Sequence, residues 1–332
     1  MRLKQFLQTT LNPAWYHGHT HKAPFFEGWY YKLVDASGHH RFAIIPGIFL
    51  SRTPHAFVQV LDGRSGSAYY HEFKERCFWA AKDRFEVHIG ANRFSQTQLN
   101  LYIERPRQTI EGELHFHQTT PWPSALTSPG MMGWYAWVPT MECYHGVVSL
   151  DHAITGTLTI DGETIDFSGG RGYIEKDWGQ SFPAAWVWLQ SNHFETQGTC
   201  LTGSTAIIPW RRSAFRGFTV GLWHEKQLYR FATYTGAKTA HLQVSDDTVE
   251  WVLRDKKREL HIVAAQGAQS EFGLLKGPDR VEMGKRVAET LTAVLHIQLN
   301  DISNGQTRLI FEGNGRYAGL EVHNASQLLG MG

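Results

Sequence analysis

The chain is poor in cysteine and in helical periodicity, and it has no long run of one charge or of apolar residues. Its three cysteines, Cys77, Cys143 and Cys200, are far apart and odd in number. No Cys-x-x-Cys pair exists, so neither a disulfide framework nor a cysteine zinc site is implied. No stretch of about 18 apolar residues occurs, so no membrane-spanning helix is expected. The opening Met1-Arg2-Leu3-Lys4-Gln5-Phe6-Leu7 lacks the apolar core of a signal peptide, and the expected location is cytoplasmic. A net charge of +1 gives no reason to expect a polyanion partner, and basic aromatic stretches such as Trp210-Arg211-Arg212 do not cluster as nucleic-acid binding requires. Gly169-Gly170-Arg171-Gly172 resembles a phosphate loop only in composition, because it precedes a strand-like segment and lacks the Gly-Lys-Ser/Thr ending. The absence of a Gly-x-Ser-x-Gly elbow disfavours a serine hydrolase of that kind.

Aromatic residues are abundant. They make up 13% of 332 residues, with 12 Trp and 19 Phe, more than a core needs, and such excess lines hydrophobic pockets or interfaces. Most segments read as strands joined by Gly, Pro, Asn or Asp turns. Hairpins are expected at 30–34/41–50, 56–61/67–73, 99–104/109–117, 218–223/227–233, 249–254/258–264 and 291–299/307–311. The clearest runs from Ile154 to Phe167 around Asp161-Gly162, a pair suited to a turn that needs positive φ. Helical patterning is confined to residues 2–11 and 323–329. Residues 2–11 place Leu3, Phe6, Leu7 and Leu11 on one side, which suits a surface helix and leaves peripheral membrane contact open. The expected class is all-β, in two antiparallel β-barrel or sandwich domains at 1–170 and 171–332, with few short helices. The irregular, proline-rich region from Pro121 to Met132 is long enough to be functional.

One stretch carries the chemistry. Gly172-Tyr173-Ile174-Glu175-Lys176-Asp177-Trp178-Gly179 leads into Trp186-Val187-Trp188-Leu189-Gln190-Ser191-Asn192-His193-Phe194. A Glu-Lys-Asp cluster among tryptophans is costly to bury unless paired or used. Strand alternation puts Trp186, Trp188 and Gln190 on one face. The stretch reads either as a buried ion pair beside a core strand or as the lining of a pocket between the two halves. Phe25-Phe26-Glu27-Gly28-Trp29-Tyr30-Tyr31 is a second carboxylate in an aromatic run. Desolvation there favours the protonated acid, a proton donor, unless a Lys or Arg pairs with Glu27 and locks the fold. His17, His19 and His21 alternate as zinc ligands can, but in a Pro- and Gly-containing loop that favours a structural role, and no metal is expected. His145 and His152 fit ordinary packing better than acid–base work.

The blocks Asn12-Pro13-x-x-Tyr16-His17-Gly18, Phe25-Phe26-Glu27-Gly28-Trp29-Tyr30-Tyr31 and Glu175-Lys176-Asp177-Trp178-Gly179-x-x-Phe182-Pro183-x-x-Trp186-Val187-Trp188-Leu189-Gln190-x-Asn192-x-Phe194, in that order, resemble the tocopherol cyclase family. Glu-Lys-x-Trp-Gly is also similar to an Asp-His-x-Trp-Gly block of carotenoid 1,2-hydratases. The resemblance implies a lipocalin-like pair of β-barrels. It implies an intramolecular lyase that cyclises a prenylated benzoquinol to a chromanol without a cofactor, with a hydrophobic isoprenoid as its partner. Such chemistry needs a proton donor, a water-shielded tertiary carbocation and aromatic walls. The expected donor is Glu175, with Glu27 the alternative, and Lys176 or Asp177 would orient it. Trp29, Tyr31, Trp178, Trp186, Trp188, Gln190 and Asn192 form the expected substrate-binding set. Competing readings on the same scaffold are an isoprenoid hydratase, a pericyclase, or a non-catalytic carrier of a hydrophobic ligand.

Overall fold

The structure, a computed structural model, describes residues 2–267 and 271–331. The chain divides into two compact units, Met1–Phe182 with Gly273–Val287, and Pro183–Phe272 with Ala288–Gly332. In the first, helix α1 (Arg2–Leu11) precedes β1 (Phe25–Val34), β2 (Arg41–Leu50), β3 (His55–Asp62), β4 (Ala68–Lys74), β5 (Phe78–Ala80) and β6 (Glu86–Ile89). There follow β7 (Asn92–Ser95), β8 (Gln98–Arg105), β9 (Gln108–His117), β10 (Cys143–Ile160), β11 (Glu163–Asp166) and β12 (Arg171–Gly179). Their order across the sheet is β4-β3-β2-β1-β12-β10-β9-β8-β7-β6-β5, with β11 beside β10. Sequential hairpins build both ends of this path. The exception is β12, which inserts between β1 and β10 and is therefore hydrogen-bonded along both edges.

The second unit holds β13 (Trp186–Ser191), β14 (Cys200–Trp210), β15 (Ser213–His224), β16 (Gln227–Ala232), β17 (Lys238–Val244), β18 (Thr248–Arg254) and β19 (Arg258–Ala265). After β20 (Gly273–Gly277), which belongs to the first unit, come β21 (Lys285–Asp301), β22 (Arg308–His323) and helix α2 (Ala325–Leu329). The path is β16-β15-β14-β13-β22-β21-β19-β18-β17, all antiparallel. One face of β13 enters its core through Val187 and Leu189, which pack with Leu201, Val220, Trp251, Leu295 and Leu320.

The all-β class, the two antiparallel sheets and the two short helices agree with the reading of the sequence. Asp161 and Gly162 take φ of 51° and 87°, as their two-residue turn demands. The sequence pattern places the start of β10 late, at Ile154, whereas the strand begins at Cys143. Its pairing with β12 is interrupted between Val147 and Ser149 and between Ser149 and His152. Bulges there bend the strand, so that its first limb pairs with β12 and its last pairs with β9 and β11. Cys77, Cys143 and Cys200 are free. Among the described residues no helix is long and apolar enough to cross a membrane.

Candidate functional site

Alternation along β12 divides its side chains into two environments. Lys176 and Trp178 face the same way as Glu27 and Trp29 of β1, because Trp29 lies opposite Lys176 and Glu27 opposite Trp178. Glu27 and Lys176 are wholly buried and form an ion pair. The Lys176 ammonium also donates to the Trp15 carbonyl at 2.7 Å and lies 3.1 Å from His17 Nδ1. It stands 4.7 Å from the ring centres of both Trp29 and Trp178. The His17 backbone N–H donates to Glu27 Oε2 at 2.9 Å, and the His17 ring stacks on Trp178 with centroids 4.1 Å apart. Tyr144 stacks on the same tryptophan. Both partners have polar neighbours besides each other, the condition under which a buried ion pair is tolerated.

Lys176 supplies the pairing cation that the sequence reading of Glu27 left open. Burial opposes ionisation, but Lys176 and His17 hold the carboxyl below the usual range, so it carries no proton at neutral pH. Burial lowers Lys176 to about 8 while Glu27 pulls the other way. The charge is thus favoured on one partner and disfavoured on the other, and both remain ionised at pH 7. Burial, reinforced by the Lys176 ammonium, lowers His17 to about 4 and keeps it neutral.

On the opposite face of β12, Glu175 and Asp177 project beside His145 of β10, which lies directly across from Asp177. His145 Nδ1 is 2.8 Å from Asp177 Oδ1. Its Nε2 is 3.3 Å from Glu175 Oε2, within ion-pair reach though outside hydrogen-bond geometry. Tyr173 donates its hydroxyl to Glu175. Burial disfavours charge on this imidazole, but the two carboxylates outweigh it and raise His145 well above 6.5. The ring is an imidazolium at neutral pH, held from both sides. The ligand atoms of His145, Glu175 and Asp177 all lie within 4.8 Å of one another, so the same three groups have the spacing to hold a metal ion if the imidazole gives up its proton.

A pocket of about 120 Å³ adjoins the site and is lined by Phe6, Thr9, His17, Met132, Tyr144, His145 and Trp178 among others. A cavity of roughly 150 Å³ holds a benzene ring, so this one suits a ring-sized group. The lining is mostly apolar, and His17 Nε2 and His145 Nε2 are buried nitrogens without a hydrogen-bond partner.

The other residues singled out in the sequence are placed as follows. Trp29 is buried with its indole N–H donating to the Ala14 carbonyl, and it stacks on Phe85. Tyr31 is buried and donates to the Ser95 carbonyl. Trp186, Trp188, Gln190 and Asn192 belong to the second unit, where Trp186 donates to Glu321 and stacks on His323. None of those four is among the residues lining the pocket. The histidines 17, 19 and 21 do not converge: His19 Nε2 reaches the Ala81 carbonyl and His21 Nδ1 the His17 carbonyl. The sequence reading gives His145 to ordinary packing rather than acid–base work and assigns Tyr173 no role of its own. Extending the strand pattern of β10 back through Val147 would have set His145 facing β12.

Histidines buried neutral make the fold acid-sensitive. His152, buried beside Ser149 and Phe116, is lowered to about 3 by burial and by Arg171. Both His17 and His152 have native values below the unfolded one, so their stability is present above pH 6.5 and lost as pH falls towards the native values. His145 has the opposite sign: its contribution is complete below 6.5 and is lost as pH rises through its raised value. Of these three, only the first two change between pH 6.5 and 5, each by roughly 2 kcal/mol. For a unit of this size the melting temperature should fall by roughly 10 °C over that interval. A melting temperature flat from pH 6.5 to 5 would refute this account.

These features describe an all-β protein with a buried, charge-paired site beside an aromatic pocket. The sequence profile of the family described as "Tocopherol cyclase-like" matches residues 104–324, and the chain belongs to that family. It is 27% identical over 201 residues to the probable chloroplastic tocopherol cyclase of Oryza sativa subsp. japonica, and 28% identical over 204 residues to the chloroplastic tocopherol cyclase of Zea mays. In both cases 57% of this chain is covered and 41% of the relative, so the chain matches about two fifths of those proteins' length. Its fold is similar to that of CghA, crystallised with Sch210972, at a TM-score of 0.53 and 9% identity, covering 90% of this chain and 88% of that one.

Proposed function

We propose that the chain is a cofactor-free acid–base catalyst that closes a prenylated quinol to a chromanol. Family membership supports the reaction class, and the observation that carries the mechanism is the His145 imidazolium held between Glu175 and Asp177 at the pocket. In this reading His145 replaces Glu175 as the group that delivers the proton. Its Nε2–H goes to the less substituted alkene carbon, and a tertiary carbocation forms at the more substituted one. The phenol oxygen attacks that cation and the C–O bond forms. The phenolic proton returns to His145 Nε2, which restores the imidazolium. The atoms of the substrate are conserved and nothing is oxidised. Glu175 and Asp177 orient the acid and keep it charged, while the Glu27–Lys176 pair fixes His17. Glu27, ionised and paired, holds its partner rather than giving up a proton. The plant relatives named above are tocopherol cyclases, which is the source of the substrate class.

The test is incubation with a reduced prenylated benzoquinol in heavy water. The expected product is a chromanol with one deuterium on the ring methylene next to the oxygen-bearing carbon. A tertiary alcohol formed by water addition would instead make the chain a hydratase. Tight quinol binding without turnover would make it a carrier.

A further inference from the structure

Helix α1 exposes apolar side chains. Its buried residues include Thr9 and Thr10, whereas Leu3 and Leu7, one turn apart, are 71% and 42% exposed. Leu3 and Leu7 point outward while Thr9 and Thr10 are buried, so part of the outer face of the helix is apolar. The segment between β9 and β10 is fastened to this helix. Ser124 donates to the Leu11 carbonyl at 2.8 Å, and the Trp137 ring meets Phe6 with centroids 6.1 Å apart. Trp137 also donates to the Leu126 carbonyl at 2.9 Å. This second segment presents its own large apolar side chains, Leu126 at 68% and Trp134 at 45% exposure. The two segments also supply Phe6, Thr9 and Met132 to the pocket lining, so the exposed apolar face and the pocket are two sides of one cover.

Charge selects the occupant. Residues 1–26 contain no Asp or Glu but include Arg2, Lys4 and Lys22, and residues 114–141 contain no charged residue of either sign. Lys4 and Lys22 are exposed, and Lys22 follows His21 of the pocket lining. Outward leucines, an exposed tryptophan, flanking lysines and no carboxylates are the composition of an element that lies in the headgroup region of a bilayer.

We propose that α1 and the segment carrying Leu126 and Trp134 form a docking face for the surface of an anionic phospholipid bilayer, placed so that a lipid-dissolved substrate enters the pocket beneath. The entry of substrate rests on the function proposed above; the docking itself does not. Leu3, Leu7 and Trp134 would sit at the boundary of headgroups and acyl chains, with Lys4 and Lys22 against the anionic headgroups.

The experiment is co-sedimentation of the purified protein with vesicles of phosphatidylcholine alone and of phosphatidylcholine with one third phosphatidylglycerol, without substrate. The protein should pellet with the mixed vesicles and bind the neutral ones more weakly, and added salt should release it. The Leu3→Asp/Leu7→Asp double variant and the Trp134→Asp variant should each lose about tenfold or more in partitioning, with unchanged melting temperature. Wild-type protein left in the supernatant with both vesicles would overturn the proposal. So would variants that bind as well as wild type, or a dimer in solution that the same substitutions dissociate, which would make a second copy the occupant. A protein that docks but turns over no quinol would remove the proposed reaction and leave the docking face standing.

Discussion

Replacing Lys176 by Met should lower the stability of the first unit by about 3–5 kcal/mol, because it leaves the Glu27 carboxylate buried without a cation. Glu27 and Lys176 are both wholly inaccessible to solvent, so water does not replace the lost ammonium. The variant also removes the donors to the Trp15 carbonyl and the contact with His17, freeing the segment that caps Trp178. The corresponding fall in melting temperature is roughly 10 °C. The double variant Glu27→Leu/Lys176→Met should recover most of that loss, since it removes both charges and leaves an apolar pair. The interaction energy of the double-mutant cycle, read by denaturant unfolding, separates a charge effect from a packing effect. If Lys176→Met alone were as stable as wild type, the pair would not hold this part of the fold.

Replacing His145 by Asn should lower kcat by roughly 10²- to 10⁴-fold, the range for loss of a general acid, while KM for the quinol changes little. Asn at 145 can still hydrogen-bond Asp177 but cannot carry a proton at neutral pH. Asp177→Asn should give a smaller loss and move the alkaline limb of the pH–rate profile downward, because one of the two carboxylates that keep His145 charged is gone. In the parent protein that limb should lie above pH 6.5, the ordinary histidine value. Undiminished kcat in His145→Asn would remove the imidazolium from the mechanism. A variant inactivated by EDTA and restored by zinc would not be expected on this account; metal-dependent activity of the parent would show His145, Glu175 and Asp177 acting as ligands instead.

Much of the candidate site was legible because it is contiguous. Glu175, Lys176, Asp177 and Trp178 follow one another, and buried charges among tryptophans stand out whatever the fold. Their partners were not legible, since pairing depends on which strands become neighbours. His145 lies 32 positions before Asp177, and His17 lies 159 before Lys176. Only the insertion of β12 between β1 and β10 brings them together. The state of Glu27 follows the same rule: an aromatic neighbourhood favours the neutral acid, and the arrival of Lys176 from a distant strand reverses the sign. The hairpins were easier, because turn chemistry at Asp161-Gly162 or Asn304-Gly305 is local. The early part of β10 was missed because its bulges break the alternation that marks a strand.

That β12 runs through the middle of its sheet also bears on how the chain chooses its native pairing. Sliding this strand by one residue against β1 and β10 would turn every side chain to the other face. Lys176 would leave the aromatic cage and arrive beside His145, cation against cation. Glu175 and Asp177 would enter the cage where Glu27 already waits, three anions with no counterion. Neighbouring alignments are therefore penalised by charge as well as by shape, and the segment reports a correct fold by the same contacts that equip it for chemistry.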